Sequence, residues 1–170
     1  WIVRSQTFPD FEMPIFYAIN SWPDHWRIPF LIITYSGTVY MMALLTLFLL
    51  WRKYYRLALR IFCGGVVAIV LTQAVKYIVE RPRPYIVFTE TIQREKLLVG
   101  YGFPSTHTAV VTVMALLLMV WLPQKWRWIP IVWIVLIGLS RIYLGVHAPL
   151  DVVGGFAAGV LVVTVSLLLK

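Results

Sequence analysis

His147 and Asp151 stand four residues apart, with Pro149 between them, in a chain of 170 residues. At that spacing a helical turn lets the carboxylate accept a proton from one imidazole nitrogen, which leaves the other nitrogen free as a nucleophile. A second histidine, His107, follows Pro104-Ser105-Thr106 and could give a proton to a departing oxygen. Lys76, Arg83 and Arg141 add three fixed cations, and a planar guanidinium grips two oxygens of a phosphate at once. Ser105 stands where an apolar run begins, so it could cap a helix whose free backbone N–H groups point at an anion. This set suits phosphoryl transfer, which asks for charge neutralisation and in-line positioning more than for exotic groups. Each member also has an ordinary explanation: a cation at a helix end snorkels, Ser105 is a plain N-cap, and Asp151 favours the positive start of a helix. Together they are harder to dismiss, because a charge within a membrane span costs about 2.5–3.5 kcal/mol on insertion scales. One well-placed carboxylate is too few for a two-metal phosphatase, so no metal and no other cofactor is expected.

The elements that must position these groups are membrane helices. With 61% hydrophobic and 13% charged residues, the chain is too apolar for a soluble domain of its length. A span needs roughly 20 apolar residues. The expected fold is an all-α polytopic membrane helical bundle, a single domain over residues 1–170 with five transmembrane helices at about 29–51, 57–79, 106–122, 129–143 and 149–169. Residues 1–28 mix aromatic side chains with Pro, Asp and Arg and read as an interfacial segment, His25 included. Residues 80–105 read as a polar, proline-bearing connection in which Glu80 and Arg81 form a solvated pair. Gly155 and Gly159 are spaced for close helix approach, or stand so by chance in a helix rich in small residues. The lone cysteine, Cys63, excludes an intrachain disulfide and a cysteine-based metal site. Trp1 opens the sequence without a charged region and a short apolar core, so no signal peptide is expected, and a further span could precede it.

Charge sorts the connections between two sides. Arg52, Lys53, Arg56, Arg60, Lys125, Arg127 and Lys170 fall on one side with no acidic residue, while all seven acids fall on the other. By the positive-inside bias the first side is cytoplasmic. The basic residues behind the net charge of +8 flank spans instead of forming an aromatic-interleaved stripe, so anionic lipid is the expected partner and nucleic acid is not. Oligomeric state is open. Lys76–Pro84, Pro104–His107 and Ser140–Asp151 all lie on the outward side at the ends of different helices, where a bundle would gather them.

The order Lys76, six residues, Arg83-Pro84; then Pro104-Ser105-Thr106-His107; then Ser140-Arg141, five residues, His147, three residues, Asp151 resembles the three-part signature of the type 2 phosphatidic acid phosphatase superfamily. Because spans separate the parts, the likeness is to the membrane lipid phosphate phosphatases more than to their soluble vanadium haloperoxidase relatives. The resemblance implies that His147 attacks phosphorus, Asp151 orients it, and His107 protonates the departing lipid oxygen. Lys76, Arg83, Arg141 and Ser105 would hold the phosphate, and water would release it from a phosphohistidine without a metal. Thr106 occupies a position where the family commonly has Gly, so its side chain either narrows the pocket or adds a hydroxyl contact. The family usually has six spans against the five expected here. The guest implied is a membrane lipid carrying a phosphomonoester or diphosphate, with phosphatidylglycerol phosphate, phosphatidic acid, undecaprenyl diphosphate and lipid A phosphate all compatible. The expected place is a bacterial inner membrane, with the site facing periplasm or exterior. A lipid phosphotransferase using the same histidine, and a transporter that binds phosphate without breaking a bond, are the competing readings.

Overall fold

A computed structural model describes residues 8–96 and 99–168 of the chain, and all regular structure among them is helical. Residues 1–7 of the expected interfacial segment, and Leu169 and Lys170 at the end of the expected fifth span, lie outside the described residues. The helices are α1 (Glu12–Asn20), α2 (Arg27–Tyr35), α3 (Val39–Trp51), α4 (Tyr55–Val79), α5 (Pro84–Val87), α6 (Thr106–Trp121), α7 (Trp128–Tyr143) and α8 (Pro149–Leu168).

The centre is α6, against which α8, α4 and α7 pack. Its residues 108–115 are buried almost without exception, and Val111, Val113 and Met114 join Ile61 and Ala68 of α4 and Ile137 of α7 in the main core. A helix so enclosed needs no polar face, which is why α6 carries apolar residues on every side. On α8, an added Cβ at Gly155 would stand 2.3 Å from the Ser105 carbonyl oxygen, and one at Gly159 would stand 2.5 Å from Thr112 Cβ. The two glycines are therefore the contact surface of α8 on α6. Outer faces expose Ile32, Leu59 and Ile78, as suits helices bathed in lipid.

Length and composition do not by themselves confirm the expected five crossings. Among the described residues three stretches are long and apolar enough: Tyr55–Val87, Gln124–Tyr143 and Pro149–Leu168. A fourth arises if α2 and α3, bent by 50°, together form one span, and α6 has 16 residues, fewer than a full crossing asks for. The expected unbroken span at 29–51 is thus two helices. Ser36-Gly37-Thr38 divides them: Thr38 leaves the helical region, and its hydroxyl accepts from the Met41 N–H at 3.4 Å to cap α3. The break is seated on α7, where Trp133 Nε1 donates to Ser36 Oγ at 2.8 Å and a Cβ at Gly37 would meet Ile137 Cδ1 at 3.0 Å.

The N-terminal segment is more than an interfacial strip. Glu12, Phe16 and Asn20, four residues apart on one face of α1, are all buried. Arg94 ties the connection after α4 to this segment. Its guanidinium donates to the carbonyls of Asn20, Trp22 and Tyr143 and to Asp24 Oδ1 at 2.6–3.0 Å.

Candidate active site

The site lies where α4, α6 and α7 end or begin and α8 starts. Lys76 occupies the last turn of α4, which stops at Glu80 in the left-handed region. Beyond it the chain runs extended into Arg83, so Arg81 and Arg83, two apart across Pro82, are held by a stiff segment that admits no helix. Ser105 caps α6, with Thr106 and His107 in its first turn. Arg141 comes from the last turn of α7, His147 from the short loop after it, and Asp151 from the first turn of α8.

Lys76, Arg83, Thr106, His107 and His147 line one cavity of about 500 Å³, whose remaining wall includes Gly37, Thr38, Ile69 and Val110. Polar cationic groups thus meet the broken span and an apolar wall in a single space. Lys76 Nζ donates to the carbonyls of Tyr101 at 3.0 Å and Gly102 at 3.1 Å. Arg83 is fixed by donation to the Gly100 and Val146 carbonyls at 3.0 and 3.1 Å.

His147 is 2% exposed, and its Nδ1 lies 3.2 Å from Asp151 Oδ2. The same oxygen accepts the Ala148 N–H at 2.9 Å. Gly102 keeps this contact open, since a Cβ there would stand 2.9 Å from Asp151 Oδ2. Burial holds the His147 imidazole well below its ordinary pKa, and Arg141, Arg83 and Lys76 push the same way, while a hydrogen bond with the Gly102 backbone opposes them. The neutral ring is the nucleophilic form.

Arg141 is fully buried, and its Nη1 donates to Thr34 Oγ1 and Glu95 Oε2, both at 2.8 Å. Its Nε and Nη2 are buried with no partner among the described residues. Two unmatched donors on one guanidinium form the fork that a bidentate oxyanion would satisfy. Ser105 is placed otherwise: its Oγ accepts from Thr108 Oγ1 at 3.0 Å and from the Thr108 N–H at 3.4 Å, the geometry of a cap. Thr106 lines the cavity while its hydroxyl lies 3.1 Å from Thr72 Oγ1.

Several residues of this region carry no signal in the motif spacing. Arg81 is not in a solvated pair with Glu80. It is 4% exposed and ion-paired with Asp151 Oδ1 at 2.7 Å and with Glu12, while Glu80 hydrogen-bonds the half-buried Tyr101. No local spacing marks it, because its partners Asp151 and Glu12 lie 70 and 69 residues away along the chain. Thr34, Glu95 and Glu12 reach the site from elements far away in sequence.

This helical membrane architecture and cation-rich cavity define a class of membrane phosphatase-like folds. The chain belongs to the PAP2 superfamily, whose family model matches residues 57–170. An undecaprenyl-diphosphatase of Sulfolobus acidocaldarius is 35% identical over 114 residues, 66% of this chain and 55% of that relative, so the chain spans about half the length of that curated relative. The crystal structure of Aquifex aeolicus LpxE superposes with a TM-score of 0.86 at 27% identity, covering 94% of this chain and 96% of that one. A PAP2-type phosphatidylglycerolphosphate phosphatase from Bacillus subtilis superposes with a TM-score of 0.76 at 26% identity over 92% of this chain and 82% of that chain.

Proposed function

We propose that this chain is an integral-membrane domain that hydrolyses a lipid-borne phosphomonoester or diphosphate through a phosphohistidine, without a metal, at the outward face of a cytoplasmic membrane. The observation that carries this reading is the pairing of His147 Nδ1 with Asp151 at 3.2 Å, with His147 itself lining the cavity that Lys76 and Arg83 also face. The relatives support the guest: one is named for a lipid diphosphate and another for a phosphatidylglycerolphosphate.

In this reading Lys76, Arg83 and the free edge of Arg141 neutralise the phosphoryl oxygens, the part a metal ion plays elsewhere. The His147 nitrogen remote from Asp151 forms a bond to phosphorus as the bond from phosphorus to the lipid oxygen breaks. His107, which takes up a proton when the phosphate's negative charge enters the cavity, gives it to that oxygen, and the lipid leaves as an alcohol, or as a monophosphate if it arrived as a diphosphate. The now neutral His107 takes a proton from water, whose oxygen attacks phosphorus. The nitrogen–phosphorus bond breaks, and inorganic phosphate and free His147 are restored. Asp151 holds the imidazole in the tautomer with its proton on Nδ1.

The test is phosphate release by the detergent-purified protein across phosphatidylglycerol phosphate, phosphatidic acid, undecaprenyl diphosphate and lipid A phosphate. His147→Ala is expected to lose at least about 10⁴-fold in kcat on every accepted lipid. Vanadate is expected to inhibit the native protein, and EDTA to leave its turnover unchanged. Turnover by His147→Ala within tenfold of native would remove the nucleophile from the scheme.

A further inference from the structure

Arg81 is not among the residues that line the cavity with Arg83, yet both its terminal nitrogens are engaged. Nη1 donates to Asp151 Oδ1 at 2.7 Å, and Nη2 donates to Glu12 Oε2. Glu12 is 0% exposed, and its second oxygen, Oε1, accepts the Leu150 N–H at 2.7 Å, in the first turn of α8. The two oxygens of Asp151 are thereby divided: Oδ2 faces His147 and the Ala148 N–H, and Oδ1 is held by Arg81. A continuous line of buried contacts runs Glu12, Arg81, Asp151, His147.

Each link has a physical reason. A carboxylate that orients an imidazole must itself be held ionised and fixed in rotation, and a charge-assisted bond to its second oxygen does both. A guanidinium is the group that can bridge two carboxylates with separate nitrogens of one rigid plane, which an ammonium cannot do. Glu12 in turn prevents Arg81 from swinging, and by taking the Leu150 N–H it fixes the helix turn that bears Asp151. Glu12 belongs to α1, outside the residues 57–170 that match the family model, so the N-terminal helix reaches the reaction centre through this line.

We infer that Arg81, clamped by Glu12, is a positioning residue for the hydrolytic step: it sets Asp151 and, through it, the tautomer and rotation of His147. The inference rests on the assignment of His147 as nucleophile and Asp151 as its orienting group. It makes α1 part of the apparatus that readies the nucleophile.

Arg81→Gln, Arg81→Lys, Glu12→Gln and the Glu12→Gln/Arg81→Gln pair would be assayed for lipid phosphate release, alongside His147→Ala. Arg81→Gln is expected to lower kcat by about 10–100-fold with KM moved less than about threefold, because the phosphate-binding cations are untouched. Arg81→Lys, with charge but no fork, is expected to fall between that variant and native. Glu12→Gln is expected to lower kcat by about three- to tenfold, and the double variant to be no worse than Arg81→Gln alone within about twofold, since the two act as one unit. With only three histidines in the chain, ¹⁵N-histidine spectra, assigned by subtraction of the His147→Ala spectrum, read the tautomer directly. Native protein is expected to carry the His147 proton on Nδ1, and Arg81→Gln to carry a mixture.

Native kcat and an unchanged tautomer in Arg81→Gln overturn the inference, as do additive losses in the double variant or an effect confined to KM. If Arg81→Gln does not assemble, Arg81→Lys and Glu12→Gln decide by the same kinetic and spectral readouts, and native behaviour in both overturns it. An inert His147→Ala beside a native-like Arg81→Gln sinks this inference alone, whereas an active His147→Ala sinks the reading on which it rests.

Discussion

At residue scale, the proposed reaction asks for a neutral histidine before the guest arrives, and the surroundings of His147 favour that state. The group has its pKa held well below the ordinary value of 6.5, by burial first and by Arg141, Arg83 and Lys76 next. Between that lowered value and 6.5 an unfolded histidine binds a proton that the folded one refuses. This group's contribution to stability is therefore complete above about pH 6.5 and declines as pH falls through the window beneath it. The same sign governs rate. The profile of kcat/KM, corrected for the second ionisation of the phosphate group, is expected to show its acid limb below pH 6.5, and a limb at 6.5 or above would contradict a buried neutral nucleophile. The meeting of Lys76, Arg83, His107 and His147 at one cavity, and the pairing of His147 with Asp151, were legible in the sequence because residue type and interval along the helix ends foretell both. Arg81 and Glu12 were not, because their meaning comes from a meeting across the bundle that no local spacing encodes. Ser105 was legible in both its senses, and the hydroxyl is occupied as a cap.

At element scale, α8 sits on α6 through glycine. Gly155 faces the Ser105 carbonyl, and the Ser105 N–H donates to the Asp151 carbonyl at 2.8 Å, so the helix contact and the site share one seam. Gly155→Ala is expected to destabilise the protein by about 1–3 kcal/mol, the cost of overpacking a close contact, and to lower kcat as the start of α6 shifts from α8. Thermal unfolding in detergent and phosphate release measure the two effects; an unchanged midpoint with native turnover would show that the seam tolerates a methyl group. The helices α4, α7 and α8 were legible from apolar length alone. The break between α2 and α3 was masked by a run of apolar residues on both sides, which kept the average hydropathy high over Ser36-Gly37-Thr38. The inward face of α1 was masked in the opposite way, since its buried Glu12 and Asn20 are residues that usually mark a surface.

At the scale of the whole molecule, the acid-free basic connections and the candidate site occupy opposite ends. Tyr54, after the first basic cluster, stacks edge-on against Trp121 at the end of α6 with ring centroids 5.7 Å apart, which puts the Arg52–Arg56 and Lys125–Arg127 connections at one end of the bundle. The cavity lies at the other. In a Cys63→Ala background, single cysteines at the exposed positions of Glu90 and Lys125 are expected to label oppositely with a membrane-impermeant maleimide: Glu90→Cys in intact cells, Lys125→Cys only after permeabilisation. The reverse pattern would invert the proposed orientation. The two-sided charge distribution was readable from sequence because short loops carry it, while the break in the first span and the shortness of α6 were not, because a bent pair and a short central helix look like full spans by composition.

The shortness of α6 has a consequence for reach. Sixteen residues rise roughly 24 Å against a hydrocarbon slab of about 30 Å. Were Trp121 held at the aromatic belt of one face, the opposite end, bearing His107, would stop beneath the far surface by on the order of 6 Å. The basin where phosphorus would be attacked is therefore sunken. A lipid held by its tail brings its headgroup to the rim of that basin and needs only a short descent, whereas a phosphorylated solute from bulk water would have to shed hydration and descend with no anchor.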